Sequence, residues 1–281
     1  MSEDTPLPAS ARRGMIRRLR KLARAALASL AVTLAMIVPE IQGAAAQDVT
    51  TPSGYQFFVT PYLWLASVHA TTMTPLAREP EVNSNVSTID LLSHLDGAPF
   101  MGSAEARYGQ LGFLVDVIHL PVRTNITTHD IFFQGGTAEL AANEGTGIAL
   151  YRVLEDPVQF ADAGLGFRAW GFSSRVALNP GLLPGVSVTP SGGWTDPLIG
   201  ARYHRELGNG FALTAYADVG GFGVGAHIDW QVLGTVDYSL SPSWDLHLGY
   251  RSLNFNITGS EGRFGFNVHM RGPIFAGTFR F

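Results

Sequence analysis

Three features are missing or scarce in this sequence of 281 residues: cysteine, lysine and long apolar runs. Without cysteine the chain has no disulfide, no thiolate metal ligand and no cysteine nucleophile. Lysine occurs once, as Lys21, so no lysine-rich patch is available for nucleic acid. The longest apolar run, residues 25–38, is shorter than the ~20 residues that a membrane-spanning helix needs. A disulfide framework and a chain of transmembrane helices are therefore excluded.

The first 46 residues have the composition of a secretory signal peptide. Seven Lys and Arg residues lie in 11–24, the apolar run follows, and small residues precede Gln47. A basic, then an apolar, then a small-residue segment is typical of a cleaved export signal. We predict cleavage between Ala46 and Gln47. An uncleaved N-terminal anchor is the alternative, and Met15 is an alternative start.

The remainder, residues 47–281, is acidic. Seven of the 19 basic and three of the 23 acidic residues precede it, which leaves 12 bases, 20 acids and a formal charge of −8. We therefore expect no nucleic-acid partner. The eight histidines are scattered, without a helical i, i+4 pair or a dense cluster, so we expect no metal ion and no other cofactor.

Within 47–281, stretches of alternating apolar and polar residues recur, each followed by turn-forming residues. Strands of a membrane β-barrel need about 9–11 residues with this period of two. Ten such stretches are present: 55–67, 100–108, 111–122, 145–154, 159–173, 194–207, 211–222, 228–240, 243–255 and a last one ending at 281. We predict an all-β, transmembrane, antiparallel up-and-down barrel of about ten strands. Twelve or eight strands are alternatives, because 68–99 and 123–144 have room for further hairpins.

The connections between these stretches alternate between tight turns and longer loops. The tight turns are centred on 109–110, 155–158, 208–210 and 241–242, which are rich in Gly, Asn, Asp, Ser and Pro. Short turns at one end and longer loops at the other are typical of outer-membrane barrels. Aromatic residues near the short-turn end predict an interfacial girdle: Tyr55, Tyr108, Phe160, Tyr203, Phe211, Tyr238, Trp244 and Phe281.

The chain ends in FAGTFRF, so Phe275, Phe279 and Phe281 alternate with polar residues up to the last position. This ending looks like the C-terminal signal that the outer-membrane insertion machinery reads. The stretches TPYLWL, DVGGFGVG, LGYRSLNF and RGPIFAGTFRF also resemble small Gram-negative outer-membrane β-barrel proteins. The resemblance implies location in the outer membrane, lipid and the insertion machinery as partners, and Phe279 and Phe281 as the insertion signal. Ala276 departs from it, because Gly is usual there.

If the large apolar residues face lipid, the opposite strand faces line the barrel lumen. A charged pattern repeats on that face, in which Gly or Glu precedes Arg by two positions. Charges in contact with lipid cost several kcal/mol, so this regular phase places them inside. We predict a lumen charge network of Glu105, Arg107, Asp116, Arg168, Arg202, Asp218 and Arg251. Two interpretations follow: an ion-paired polar core that plugs the barrel, or a narrow pore whose arginines select small anions.

Function is less constrained than fold. We expect a structural or interaction protein, or a narrow solute pore, and no enzyme. Alternatives are a soluble periplasmic β-protein and an outer-membrane hydrolase with a site at the barrel rim, for which His227 and Asp229 are the best candidates. The long segment 68–99 also contains a predicted short amphipathic helix within 87–97, capped by Thr88 and ended by Gly97.

Overall fold

The computed structural model describes residues 54–73, 81–126, 133–258 and 265–281. It contains thirteen strands and one short helix in these residues. In chain order they are β1 (Tyr55–Trp64), β2 (Ser67–Met73), β3 (Glu81–Val86), α1 (Thr88–Ser93), β4 (Phe100–Tyr108), β5 (Leu111–Ile126), β6 (Phe133–Asp156), β7 (Gln159–Pro180), β8 (Val186–Val188), β9 (Ser191–Gly208), β10 (Phe211–Gly220), β11 (Ile228–Ser241), β12 (Trp244–Thr258) and β13 (Gly265–Arg280). The predicted cleavage site at Ala46 and Gln47 lies outside the described residues. Within them, no helix is long and apolar enough to cross a bilayer.

Ten of the strands form a closed antiparallel barrel in the order β1-β4-β5-β6-β7-β9-β10-β11-β12-β13, and β13 pairs back with β1. Following paired residues once around the wall leads from Phe58 on β1 to Ala70 on β2, which continues β1 along β13. One circuit of the barrel therefore ends 12 residues further along the chain than it began, at residue 70 instead of residue 58. A stagger of this size goes with strands tilted by about 35–45°. The predicted ten-strand barrel is confirmed.

The four predicted tight turns join β4 to β5, β6 to β7, β9 to β10 and β11 to β12 at one end of the barrel. The turn after β9 shows why its sequence is Asn-Gly. Asn209 and Gly210 both have positive φ, 56° and 80°, as the two central residues of a type I′ hairpin turn require. This backbone matches the right-handed twist of the flanking strands. Both ends of the barrel, Tyr55 and Phe281, lie on this same side.

At the other end the wall rises well beyond the predicted strands. β6 has 24 residues and β7 has 22, at least twice the about 9–11 that cross a membrane. Most of the predicted loop 123–144 is therefore strand, paired as Arg123 with Glu139 and Asn125 with Thr137. The alternation of apolar and polar residues does not reveal these strand extensions, because their outward residues are polar. Outside the bilayer a strand no longer needs an apolar outer face.

Segment 68–99 contains a hairpin and the helix rather than a loop. β2 pairs with both β13 and β3, and α1 follows. The cap is Ser87, not Thr88 as predicted: the Ser87 hydroxyl accepts from the Asp90 backbone N–H at 3.1 Å. The Asp90 carboxylate reaches back to the Ser87 N–H and hydroxyl, so hydrogen bonding to Ser87 lowers the pKa of Asp90. Leu91 is the helix residue that packs inward.

The outer surface of the half of the barrel nearest the short turns is a belt of exposed apolar side chains. On β5, Leu111, Phe113, Val115 and Val117 point outward and alternate with buried residues. The other strands repeat this pattern, so the belt is the surface that a bilayer would cover. Seven of the eight predicted girdle residues are exposed. Phe160 is not: it shares the strand phase of Asp162 and Arg168 and lies inside.

Candidate functional site in the barrel lumen

A first cluster of charges lies near the short-turn end of the lumen and joins four strands. Arg202 on β9 contacts Glu105 on β4 at 2.7 Å and Asp162 on β7 at 2.5 Å. Arg107 contacts the same two carboxylates at 3.1 and 2.9 Å. Arg152 on β6 adds a contact to Asp162 at 2.9 Å. Most of these ion pairs join different strands, so the cluster connects β4 with β6, β7 and β9 through the lumen.

Arg152 and Arg202 also explain the inward position of Phe160. The guanidinium carbon of Arg152 lies 3.9 Å from the centroid of the Phe160 ring, and that of Arg202 lies 5.5 Å away. His204 stacks on the same ring at 4.8 Å. A cation over an aromatic face is attractive, more so where water is excluded. Phe160 is therefore part of the lumen charge cluster.

A second cluster is centred on Arg168, which has 0 % of its surface exposed. Its guanidinium donates to Asp218 on β10 at 2.7 Å and to Asp229 on β11 at 2.5 Å. Its Nε donates to the Thr146 hydroxyl at 3.2 Å. Glu144 lies 3.7 Å from the same Nε. The structure thus satisfies this buried charge with carboxylates on three other strands.

Asp116 and Arg251 have hydrogen-bond partners other than charged groups. The Tyr62 hydroxyl donates to both carboxylate oxygens of Asp116, at 2.9 and 3.1 Å. Arg251 donates to Gln231, and its guanidinium carbon lies 4.7 Å from the Trp64 ring. All seven residues predicted for the network therefore point into the lumen. They form two separate groups, with Glu105, Arg107 and Arg202 in the first and Asp116, Arg168, Asp218 and Arg251 in the second.

Gly166, which precedes Arg168 by two positions, lies against the backbone of the neighbouring strand. A Cβ on Gly166 would collide with the Gly147 carbonyl oxygen and lie 2.8 Å from the Ile148 Cα. Gly166 therefore allows close approach of the β6 backbone and does not make room for Arg168. The glycine that does accommodate a guanidinium is Gly112, whose added Cβ would lie 3.0 Å from Arg107 Nη2. It lies on the neighbouring strand, where spacing along one strand gives no signal.

A chain of hydrogen bonds that sequence reasoning missed runs along the inner wall over five neighbouring strands, β9 to β13. His204 pairs with the Thr214 hydroxyl at 2.9 Å, and Thr214 donates to Asp237 at 2.5 Å. His247 bridges Asp237 at 2.7 Å and Thr278 at 2.8 Å. These residues all occupy inward positions of their strands. Their common strand phase is a signal that could have identified them.

Apolar side chains fill the lumen above the charges. Trp170, Trp194 and Phe255 form an aromatic group, with ring centroids 4.5 to 5.7 Å apart. Trp64 and Leu91 of α1 belong to the same buried apolar cluster. A smaller cluster of Leu114, Ile148, Leu150 and Leu198 packs near the charged residues. Ten strands are close to the about eight at which side chains fill a barrel.

The loop between β10 and β11 is tied to this filling. Asp196, which is fully buried, accepts from the Ala226 backbone N–H at 2.6 Å and from Trp194 Nε1 at 2.8 Å. Gly221 and Gly223 have φ of 87° and 76°, and Phe222 between them has φ of 49°. Such values favour glycine and are costly for phenylalanine. The tight loop thus holds the Phe222 side chain exposed on the surface.

The residues considered for hydrolysis do not assemble into a site. His227 is exposed in the β10–β11 loop, whereas Asp229 is buried and bonded to Arg168. Near α1, His94 Nδ1 lies 2.6 Å from the Asp90 backbone oxygen. Among the described ranges, no group of three or more His, Asp or Glu is arranged to hold a metal ion.

A closed antiparallel ladder, an apolar belt and an inward-facing charged network define an outer-membrane type of β-barrel. No protein-family model and no curated protein matches the sequence. Among solved structures, the outer membrane protease OmpT from Escherichia coli is similar, with a TM-score of 0.53 at 10% identity over 82% of this chain and 97% of that chain. The translocator domain of the autotransporter NalP from Neisseria meningitidis is 14% identical over 80% and 88% of the chains, with a TM-score of 0.34. The likeness to OmpT shows the fold and says nothing about activity.

Proposed function

We propose that this protein resides in the outer membrane as a sealed barrel, and that it has a structural or interaction role at the cell surface rather than conducting solutes. The observation that carries the proposal is Arg168, which is fully buried and held between Asp218 and Asp229. A selectivity arginine has to meet passing anions. Arg168 instead has its donors engaged by carboxylates of the same chain.

Two further features support a sealed lumen. In the first cluster, Arg202 is likewise surrounded by Glu105 and Asp162, at 2.5 to 3.0 Å. Above both clusters lies the apolar group around Trp170 and Phe255. An ion crossing this path would lose its hydration and displace paired charges, which is costly in a low-dielectric interior. The tall wall at the long-loop end is then the part available for contact with partners.

Planar-bilayer conductance tests the sealed lumen. The protein is expressed as the full chain, extracted folded from membranes and shown to be a barrel by its altered SDS migration before boiling. We expect no discrete channels from wild type. Arg168→Ala is compared under the same conditions, with the exposed Arg205→Ala as the matched control. Stable wild-type channels whose anion preference falls only in Arg168→Ala would make the arginines a selectivity device and overturn the proposal.

Residence in the outer membrane is tested by cell fractionation of wild type and of a variant that lacks Phe281. Phe281 is exposed at the short-turn end, and its ring lies 4.6 Å from that of Phe279. If the resemblance to the insertion signal holds, deletion of Phe281 lowers the fraction of heat-modifiable barrel in outer-membrane preparations. Equal amounts of folded barrel with and without Phe281 would remove this residue from the signal. Recovery of wild-type protein in the soluble periplasmic fraction would favour the soluble alternative.

We propose no catalytic role. What supports this is the separation of the two hydrolase candidates, with His227 exposed and Asp229 committed to Arg168. A hydrolytic activity of the purified barrel that disappears in His227→Ala would establish the alternative. The same activity in wild type and His227→Ala would point to a contaminant or to a different site.

A further inference from the structure

One face of the outer wall differs from the rest in its charge. On β13, the outward side chains change from Phe275 and Pro273 to Arg271, His269 and Asn267. Arg271 is exposed and lies at the upper edge of the apolar belt, on the side of the longer loops. In outer-membrane barrels that side faces the cell exterior. The position therefore corresponds to the headgroup layer of the outer leaflet.

The neighbouring strands add further polar groups at this level. His69 on β2 is the direct cross-strand partner of His269, and Arg271 lies between Ser67 and Ser252. His269 Nε2 and the Ser252 hydroxyl are 2.9 Å apart. Over residues 67–71, 83–85, 252–256 and 267–271, the outward side chains are Ser, Thr, Asn, His and Arg.

Arg271 has no ion-pair partner among the described residues. The contrast is Arg123 on β5, which contacts Glu139 at 2.5 Å and Asp96 at 3.6 Å. Both arginines point outward from extended strands. Arg123 is neutralised within the chain, whereas Arg271 presents a positive charge in a patch of hydrogen-bond donors.

Trp230 fixes the depth of this patch. Its ring lies 6.0 Å from the ring of His269, on the adjoining wall. Tryptophan is enriched where a membrane meets water, because its ring is apolar and its N–H is polar. The indole therefore lies beside His269, just beyond the point where the outward residues of β13 cease to be apolar.

We propose that Arg271, His269 and His69 form a binding site for the phosphate group of a lipid in the outer leaflet. A guanidinium pairs with phosphate through two parallel hydrogen bonds, and adjacent imidazoles and hydroxyls supply further donors. The continuity with the apolar belt selects a lipid over free phosphate, since the acyl chains of the same molecule would lie against Phe275 and its neighbours. The inference rests on the proposed location in the outer membrane.

Lipid binding is measured by native mass spectrometry of the folded barrel, extracted from membranes in detergent. The probe is diphosphoryl lipid A, compared with the same lipid after removal of both phosphates. We expect the dephosphorylated lipid to bind about ten-fold more weakly, since a factor of ten corresponds to about 1.4 kcal/mol, the scale of one charge-assisted hydrogen bond. Arg271→Gln is expected to lose a similar factor, and Arg123→Gln to bind as wild type does.

Each outcome decides between alternatives. Equal binding of the two lipids, or equal affinity of wild type and Arg271→Gln, would overturn the phosphate site. Competition by inorganic phosphate alone, at concentrations that leave detergent micelles unchanged, would make the ligand free phosphate and overturn the lipid assignment. Each variant is also tested for its SDS migration before boiling. A variant that fails there has lost the barrel, which distinguishes failure of the fold from failure of this site.

Discussion

Removal of the Arg168 guanidinium is the perturbation that tests the ion-paired core most directly. The side chain makes two short contacts to carboxylates, at 2.7 Å to Asp218 and 2.5 Å to Asp229, and Glu144 lies 3.7 Å away. Hydrogen bonds to charged groups contribute about 1.5–3 kcal/mol each. Breaking a buried pair from one side costs about 3–5 kcal/mol, because the remaining charges stay buried without compensation. Arg168→Ala is therefore expected to lower the free energy of unfolding by about 3–5 kcal/mol.

The assay is equilibrium urea unfolding of the barrel in phospholipid vesicles, followed by tryptophan fluorescence. The urea midpoint should fall while the slope of the transition stays constant, since the surface exposed on unfolding does not change. Arg205→Ala, an exposed arginine on the outside of β9, is the control and should stay within about 0.5 kcal/mol of wild type. An outright failure of Arg168→Ala to fold would agree with the direction but leave the magnitude open.

A charge-balanced variant supplies the second arm. Arg168→Met combined with Asp218→Asn and Asp229→Asn removes the buried cation and its two nearest partner charges. Replacing a whole buried ion cluster is often close to neutral, so most of the lost stability should return. A loss below about 1 kcal/mol in Arg168→Ala would refute the reasoning, because partner removal should cost at least about 3 kcal/mol. A triple variant as unstable as the single one would also refute it, since packing rather than charge would then dominate.

Three smaller changes test other parts of the molecule. Asp196→Ala removes the acceptor for the Ala226 N–H and should speed proteolysis within 221–227, without altering cleavage elsewhere; unchanged cleavage would mean that Asp196 does not hold the loop. Gly166→Val forces a side chain against the Gly147 carbonyl and should reduce the yield of folded barrel more than Ala163→Val, which points outward. Ser87→Ala removes the α1 cap at a cost of about 1 kcal/mol or less, so amide exchange should quicken in 88–94 only; protection equal to wild type would contradict the capping role.

Lowering the pH is expected to weaken the Ser87 cap of α1, because it protonates Asp90. Its pKa in the folded chain is lowered by hydrogen bonds from Ser87, so the cap contributes stability above the unfolded pKa of this carboxyl. That contribution is lost as the pH falls through the lowered folded pKa. Amide exchange in 88–94, corrected for intrinsic rates, should therefore quicken at acidic pH in wild type and change less in Ser87→Ala.

Much of the fold can be predicted from alternation and turn chemistry alone. Apolar residues that recur every second position must share one face of a strand, and Asn209-Gly210 fits few structures other than a tight hairpin. The inward phase of Arg107, Arg168, Arg202 and Arg251 follows from the same parity. These features are local, so the sequence carries them without knowledge of what lies opposite.

Features that depend on two distant strands could not be predicted in this way. Arg168 meets Asp218 and Asp229 because the stagger of the ladder brings β7, β10 and β11 to the same depth, and no spacing along one strand encodes that. The upper wall was missed because its outer face is polar, and Ser87 was overlooked because Thr88 caps equally well on composition. Parity along each strand thus determined which residues enter the barrel. Closure and stagger, which arise only when ten strands pair in a ring, decided which of them meet.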